Sequence, residues 1–228
     1  MLYLAHLREL AEDLGCAVHA YCLMTNHVHL LLTPPAADSC AVLMRNLGQR
    51  YVQRFNRAYQ RTGTLWEGRF KSFLVESTGY LLACYRYIEQ NPVRAGLARS
   101  PSGYLWSSYH ANAGLRLDPV VTPHAEYLAL SEDPARRHLV YRGLVEGALP
   151  EEELSRIREA AQNGMPLGGE AFKARIEIDL GRRIGRTPRG RPRSESTPDP
   201  QANGKLGSGP NYSAEEKFGP DPDFQMPL

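Results

Sequence analysis

Over the first hundred residues, the spacing of the apolar positions alternates between the period of a helix and the period of a strand. Leucines recur every three or four residues over 2–14 and Gly15 follows as a stop, which predicts a first helix. The next two segments, CAVHAYCLM and HVHLLLTP, are dense in apolar and β-branched residues, which predicts two strands. Because only the polar TN separates them, we expect an antiparallel hairpin.

A second helix is predicted from apolar positions at Met44, Leu47, Tyr51, Phe55 and Tyr59. The segment RFKSFLVE, residues 69–76, alternates and predicts a third strand. GYLLACYRYIEQ predicts another helix, with Ser77 or Thr78 as its cap and Pro92 as its terminator. The order helix, strand, strand, helix, strand, helix predicts an α+β fold, in which helices cover one face of a small antiparallel sheet.

The pattern beyond residue 115 is mainly helical. Helices are predicted over 135–147, 150–163 and 169–183, with Gly164 and Gly181 at the ends of the last two. The alternating RIEIDL inside the third leaves a strand as the alternative there. Two consecutive helices could also form a helix-turn-helix, although their spacing does not require one.

The C-terminal segment differs in composition from the rest of the chain. Residues 186–228 are rich in Pro, Gly, Ser and charge, which predicts disorder. Composition and periodicity therefore divide the chain into a first domain over 1–115, a helical extension over 116–185, and this tail.

Charge is distributed unevenly, although the formal net charge is only +2. Six arginines and no acid lie between Arg182 and Arg193, whereas six acids and two lysines follow from Ser194 onwards. An acidic tail therefore offsets a basic remainder that could bind a polyanion. The chain has no C-x-x-C pair, no secretory signal and no apolar run of about 20 residues. These absences predict a reduced, cytoplasmic protein without a membrane partner.

His27 and His29 form the first candidate site. Side chains two positions apart on a strand project from the same face, so the two imidazoles would lie side by side as metal ligands do. The alternative is an ordinary pair of histidines at the end of an edge strand.

Tyr87 and Asn91 form the second candidate site, four positions apart on one face of the predicted helix. The alternative makes Tyr87 an interface aromatic residue and Asn91 a helix cap before Pro92. Either interpretation is adequate for each residue taken singly.

Together these motifs resemble the single-tyrosine transposases of the HUH class, named for histidine, hydrophobic, histidine. NHVHLLL is followed by YIEQNPVRAGL, and LWEGRFKSFLVE and YLWSSY lie in the order and at the spacing of the branch of REP-associated tyrosine transposases. The resemblance covers residues 1–110 and implies a ferredoxin-like sheet. It also implies that residues 1–115 are the catalytic domain and makes the extension over 116–185 a candidate for DNA binding.

The resemblance also implies a role for each candidate. His27, His29 and Asn91 would hold Mg²⁺ or Mn²⁺, and Tyr87 would be the nucleophile rather than Tyr85, which points about 160° away around the helix. A phenol, with a reference pKa of about 10, is a weak nucleophile at neutral pH, and a metal on the scissile phosphate would assist it. The implied activity is nicking and strand transfer on single-stranded or hairpin DNA through a 5′-phosphotyrosine, as in a mobile element.

Basic residues supply candidate DNA contacts. They are Arg50, Arg54 and Arg57 on the second helix, Arg69 and Lys71 in the third predicted strand, Arg86 and Arg94 beside Tyr87, and Arg189, Arg191 and Arg193 in TPRGRPR. TPRGRPR resembles an AT-hook, whose arginines enter the minor groove of A·T-rich DNA. For TPRGRPR the alternative is a disordered basic linker, and for each other arginine it is an ordinary solvated charge.

One expected element of the family is missing, because its members begin with another strand before the first helix. We therefore expect a sheet without its central strand, through a shortened reading frame, a decayed copy or a strand supplied by the partner in a homodimer. This keeps open a catalytically inactive or truncated protein that binds repeat hairpins. A zinc-binding RNA module is a third reading, for which Cys22 is the nearest thiol to His27 and His29.

Overall fold

A β-hairpin carries the first candidate site. The computed structural model describes residues 2–181, 183 and 184, all within the first of two units into which the chain divides. Strand β1 (Ala17–Leu23) pairs antiparallel with β2 (Val28–Thr33), and Cys22 faces His29 across the ladder. The predicted hairpin is confirmed, and these are the only strands among the described residues.

The other edge of β1 pairs with the YLWSSY segment instead of a third strand. The Leu23 amide donates to the Trp106 carbonyl at 2.8 Å, and the Ser108 amide donates to the Tyr21 carbonyl at 3.0 Å. These bonds satisfy backbone groups of a buried strand, which would otherwise lose hydrogen bonds to water.

Helices make up most of the remaining described chain. The predicted helices beyond residue 115 are confirmed, and RIEIDL is helical, so the strand alternative is wrong. Gly164 and Gly181 end helices in the left-handed conformation, which glycine adopts without a steric penalty. The helices are α1 (Leu2–Leu14), α2 (Ser39–Ala58), α3 (Ser77–Glu89), α4 (Asn91–Arg94), α5 (Tyr109–Asn112), α6 (Ala125–Leu128), α7 (Pro134–Glu146), α8 (Glu151–Asn163) and α9 (Glu170–Leu180).

The helices cover both faces of the hairpin. Tyr21 and Leu23 of β1 pack in a cluster with α1 and α2, whereas Ala20, Cys22 and Leu31 pack in a cluster with α3. The α+β class is confirmed, but the prediction that helices lie on one face is wrong. The physical reason is that both faces of β1 are apolar, so each must be covered to leave water.

Residues 69–76 form no strand, contrary to the prediction. Val75 makes a single bridge to Leu167, with the Glu76 amide donating to the Leu167 carbonyl and the Leu167 amide to the Leu74 carbonyl, both at 2.8 Å. Alternation makes a segment compatible with a strand, but a strand also needs a neighbouring strand with which its backbone can pair. Among the described residues, only Leu167 pairs with this segment.

The core cluster around α3 includes residues from both sides of position 115. Tyr127 of α6 and Tyr141 of α7 pack with Tyr85 and Ile88 of α3. The predicted domain limits and a DNA-binding role for 116–185 stay predictions, and the expected disorder of 186–228 lies outside the described residues. No helix in the described part of the chain is long and apolar enough to cross a bilayer.

Candidate active site between β2 and α3

His27 and His29 lie side by side at the start of β2. Their Nε2 atoms are 3.0 Å apart and their ring planes are perpendicular. An octahedral ion with bonds of about 2.1 Å places adjacent ligand atoms about 3.0 Å apart. The spacing of the two nitrogens therefore fits two neighbouring positions on Mg²⁺ or Mn²⁺.

Asn26 orients the ring of His27. Its side-chain oxygen accepts a hydrogen bond of 2.7 Å from Nδ1 of His27, so that nitrogen carries the proton and Nε2 keeps its lone pair. The sequence analysis missed this residue, although its place directly before His27 was a usable signal.

The surroundings of the two rings favour neutral imidazoles. Burial, then the nearby His27 and Arg94, lowers the pKa of His29 to about 4, and partial burial lowers the pKa of His27. Only a neutral imidazole can offer a lone pair to a cation, so the protonation state of the pair also fits a metal site.

Cys22 does not fit a zinc site. It is fully buried, and burial raises the pKa of its thiol to about 12, whereas zinc is bound by a thiolate. No group of three or more His, Cys, Asp or Glu side chains that could hold a metal occurs within residues 2–181, 183 and 184. The zinc-binding reading therefore has no support in the described structure.

Tyr87 of α3 faces the histidine pair. Its ring centroid is 5.7 Å from that of His29 in an edge-to-face arrangement, and its hydroxyl has no hydrogen-bond partner among the described residues. Tyr85, in contrast, is fully buried between Tyr127 and Tyr141. Of the two tyrosines, only Tyr87 is partly exposed to solvent.

Asn91 follows Tyr87 by about one helical turn. Gln90 keeps helical backbone angles between α3 and α4, and the Arg94 amide donates to its carbonyl at 3.0 Å. Tyr87, Asn91 and Arg94 are thus at i, i+4 and i+7 of one helical path and project on the same side. Asn91 is half-buried, and its side chain makes no hydrogen bond within the described residues.

Arg94 lies against Tyr87. Its guanidinium carbon is 4.5 Å from the centroid of the tyrosine ring, and Nη2 donates to the Tyr87 carbonyl. Nη1 is buried without a partner among the described residues. Burial lowers the pKa of Arg94, but a guanidinium stays charged in proteins. The guanidinium of Arg94, held in place and with one unpaired donor, therefore lies beside the ring of Tyr87.

The other predicted cations are placed differently. Arg86 donates through Nη2 to the carbonyls of Gly147 at 3.1 Å and Ala148 at 2.8 Å, so this group holds the segment after α7. Arg69 and Lys71 are exposed in the segment between α2 and α3. Arg189, Arg191 and Arg193 lie outside the described residues.

Glu89 anchors α3 from beneath the site, and the sequence analysis missed it. It is fully buried and accepts hydrogen bonds from Ser108 (2.7 Å), Asn112 (2.8 Å) and Tyr141 (2.6 Å). Burial raises the pKa of Glu89 to about 7. The three hydrogen bonds lower that pKa, because they favour the carboxylate, but burial is the larger effect. A single acid among the apolar positions of YLLACYRYIEQ was the available signal.

Comparison with known proteins adds two findings. Residues 2–91 match the family model of IS200-like transposases. A Haemophilus influenzae protein named as a REP-associated tyrosine transposase is 26% identical over 110 residues, which cover 44% of this chain and 62% of that protein. The match thus spans less than two thirds of the relative's length. No solved structure matches the chain.

Proposed function

Because residues 2–91 match the family model of IS200-like transposases, we propose that this protein cuts and rejoins single-stranded or hairpin DNA through Tyr87. The single observation that carries the proposal is the convergence of His27, His29 and Tyr87, with the rings of His29 and Tyr87 5.7 Å apart. These residues come from two separate segments, and each had an ordinary explanation when taken alone.

The hydroxyl of Tyr87 would attack the scissile phosphorus. The new bond joins the tyrosine oxygen to phosphorus, the bond from phosphorus to the 3′ oxygen breaks, and the proton lost by tyrosine is matched by one gained by that oxygen. A 5′-phosphotyrosine and a free 3′-OH result. Attack by the 3′-OH of another strand reverses the step and restores tyrosine, so joining needs no external energy source.

His27, His29 and Asn91 would hold Mg²⁺ or Mn²⁺, which when bound supplies positive charge to the scissile phosphate. Asn26 would keep the lone pair of His27 available by accepting from its Nδ1. The low pKa of His29 would keep that ring neutral throughout the physiological range.

Arg94 would act both when Tyr87 attacks the phosphate and when the second strand is joined. Its stacking on Tyr87 restricts the ring, which supports a fixed attack position. Its guanidinium brings positive charge to the side of Tyr87, and this charge favours the phenolate that leaves when the second strand is joined.

The test is formation of a covalent protein–DNA adduct that survives SDS electrophoresis. A single-stranded oligonucleotide with Mn²⁺ should yield the adduct, and Tyr87→Phe should abolish it. Tyr80→Phe is the matched control, because it removes a hydroxyl from a half-buried tyrosine on the same helix. An adduct that persists in Tyr87→Phe overturns the assignment. Hairpin binding without any adduct would favour a DNA-binding protein without chemistry.

A further inference from the structure

Helix α2 carries a basic stretch without acids. Between Ser39 and Trp66 there are five arginines and no Asp or Glu. Arg50, Arg54 and Arg57 lie at i, i+4 and i+7 and therefore form one stripe along the helix. Arg50 pairs with Glu9 of α1 at 3.0 Å, whereas Arg54, Arg57 and Arg61 are exposed and make no ion pair with any described residue.

An aromatic ladder, Tyr51, Phe55 and Tyr59, lies on a neighbouring face of the same helix. The ring centroids are 6.1 Å apart from Tyr51 to Phe55 and 4.4 Å apart from Phe55 to Tyr59, and the last two planes are within 34° of parallel. At its inner end Tyr51 packs on Trp66. At its outer end Tyr59 is 50% exposed, so the ladder leads from the core to solvent.

Packing explains the inner end of the ladder but not the outer end. Tyr59 leaves half of its surface in water, and the guanidinium carbon of the exposed Arg61 lies 5.8 Å from the centroid of the neighbouring Phe55 ring. Exposed aromatic faces flanked by unpaired cations are what single-stranded nucleic acid requires, because bases stack on the rings and phosphates contact the cations.

The ladder is separated from the candidate active site. α2 packs in the cluster formed by Tyr21 and Leu23, on the face of the hairpin opposite to α3. His29 and Tyr87 lie on the α3 side. DNA bound at the ladder would therefore be a part of the strand several nucleotides away from the scissile phosphate.

We propose that the exposed arginines of α2 and the outer end of the aromatic ladder form a stacking platform for a single-stranded flank of the DNA substrate. This proposal rests on the proposed function for its partner. It adds a second contact surface that governs affinity and leaves the chemical step at Tyr87 unchanged.

The experiment measures binding of fluorescein-labelled oligothymidylate of about 20 nucleotides to the full chain by anisotropy, at several salt concentrations. Tyr59→Ala should weaken binding about tenfold, and Tyr59→Phe should restore it because a phenyl ring also stacks. Arg57→Glu should also weaken binding and reduce the salt slope by about 0.7 for each phosphate that the protein no longer neutralises. Arg99→Glu, a change of an exposed arginine outside α2 and outside the 116–185 extension, is the matched control and should have a smaller effect.

Adduct formation on the same oligonucleotide separates this proposal from the proposed function. At limiting DNA the Tyr59→Ala protein should form adduct more slowly than wild type, and raising the DNA concentration should reduce the difference, since affinity is what the substitution lowers. Equal affinities for wild type, Tyr59→Ala and Arg57→Glu would overturn the platform, even if adduct forms. Weakened binding in these variants, in a protein that never forms adduct, would keep the platform and overturn the proposed function instead.

Discussion

The guanidinium of Arg94 lies 4.5 Å from the centre of the Tyr87 ring, and the two residues are seven positions apart in the chain. Two helical turns bring them to the same side of one helical path. Arg94 also donates to the Tyr87 carbonyl, so its position is fixed at two points. The nucleophile proposed for the reaction therefore has a charged neighbour that is already in place.

Replacing Arg94 should slow adduct formation more than it affects folding. We expect Arg94→Ala to lower the single-turnover rate about 100-fold, because the preorganised charged donor beside the reacting phosphate is removed. Arg94→Lys should recover only part of the rate, since an ammonium group keeps the charge but cannot stack as a planar guanidinium does. Arg99→Ala, an exposed change five residues later, is the control and should leave the rate unchanged. Equal rates for Arg94→Ala and Arg99→Ala would contradict the role.

Asn26 should control the affinity for the metal. We expect Asn26→Ala to raise the Mn²⁺ concentration needed for half-maximal adduct formation about tenfold, because the partner that orients the His27 ring is removed. Asn26→Asp keeps an acceptor oxygen and should preserve the wild-type value. Thr25→Ala changes a neighbouring exposed residue of the same turn and should have no effect. An unchanged Mn²⁺ requirement in Asn26→Ala would show that the hydrogen bond to His27 is irrelevant to the metal.

Glu89 should be required for stability. Glu89→Ala removes the carboxylate that accepts from three buried donors, and Tyr141 has no other acceptor among the described residues, so we expect the free energy of unfolding to fall by about 3 kcal/mol. Glu89→Gln keeps an acceptor oxygen and should cost roughly 1 kcal/mol. Urea denaturation followed by circular dichroism measures both, with the exposed Glu146→Ala as control. A loss in Glu89→Ala no larger than in Glu146→Ala would rule out the anchoring role.

His19 should make the protein sensitive to acid. Its buried ring contacts Thr122 and Thr33 at 2.8 Å each and packs edge-to-face on His124, and burial is the main cause of its lowered pKa. Because the folded pKa lies below the unfolded value of about 6.5, the unfolded chain takes up the proton first as pH falls. The stability from neutral His19 is therefore present above about pH 6.5 and is lost on acidification toward the folded pKa.

The measurement compares wild type with His19→Gln by urea denaturation between about pH 7.5 and pH 5.5. The variant should be less stable at the higher pH, and the difference should shrink at the lower pH because only the wild type loses the contribution of His19. Taking the difference removes the titration of His27 and His29, which both proteins share. A difference that is independent of pH would exclude the proton uptake of His19 as a cause.

Local pattern was sufficient for much of the fold. Apolar spacing predicted α1, the hairpin, α2 and the helices after residue 115, because each pattern records which side of an element leaves water. It could not predict which neighbour covers that side. The prediction of helices on one face failed because β1 is apolar on both faces. The prediction of a third strand failed because residues 69–76 form a backbone bridge only with Leu167.

Motif spacing likewise assembled most of the candidate site. NHVH and YIEQN selected the histidine pair, Tyr87 and Asn91, since strand and helix periodicity say which side chains share a face. The distances between those two segments were not available from the sequence. The 5.7 Å between His29 and Tyr87 depends on how α3 packs on the hairpin, through buried contacts far apart in the chain.

The sequence by itself determined which residues are candidates for the site, because residue types and their local periodicity carry that information. Only the tertiary structure decided which of the neighbouring charges lies against Tyr87. Arg86 and Arg94 flank Tyr87 and look equivalent in the sequence, yet Arg86 binds the Gly147 and Ala148 carbonyls whereas Arg94 stacks on Tyr87. The physical reason is that a long cationic side chain pairs with whichever acceptor or ring the folded chain brings within reach.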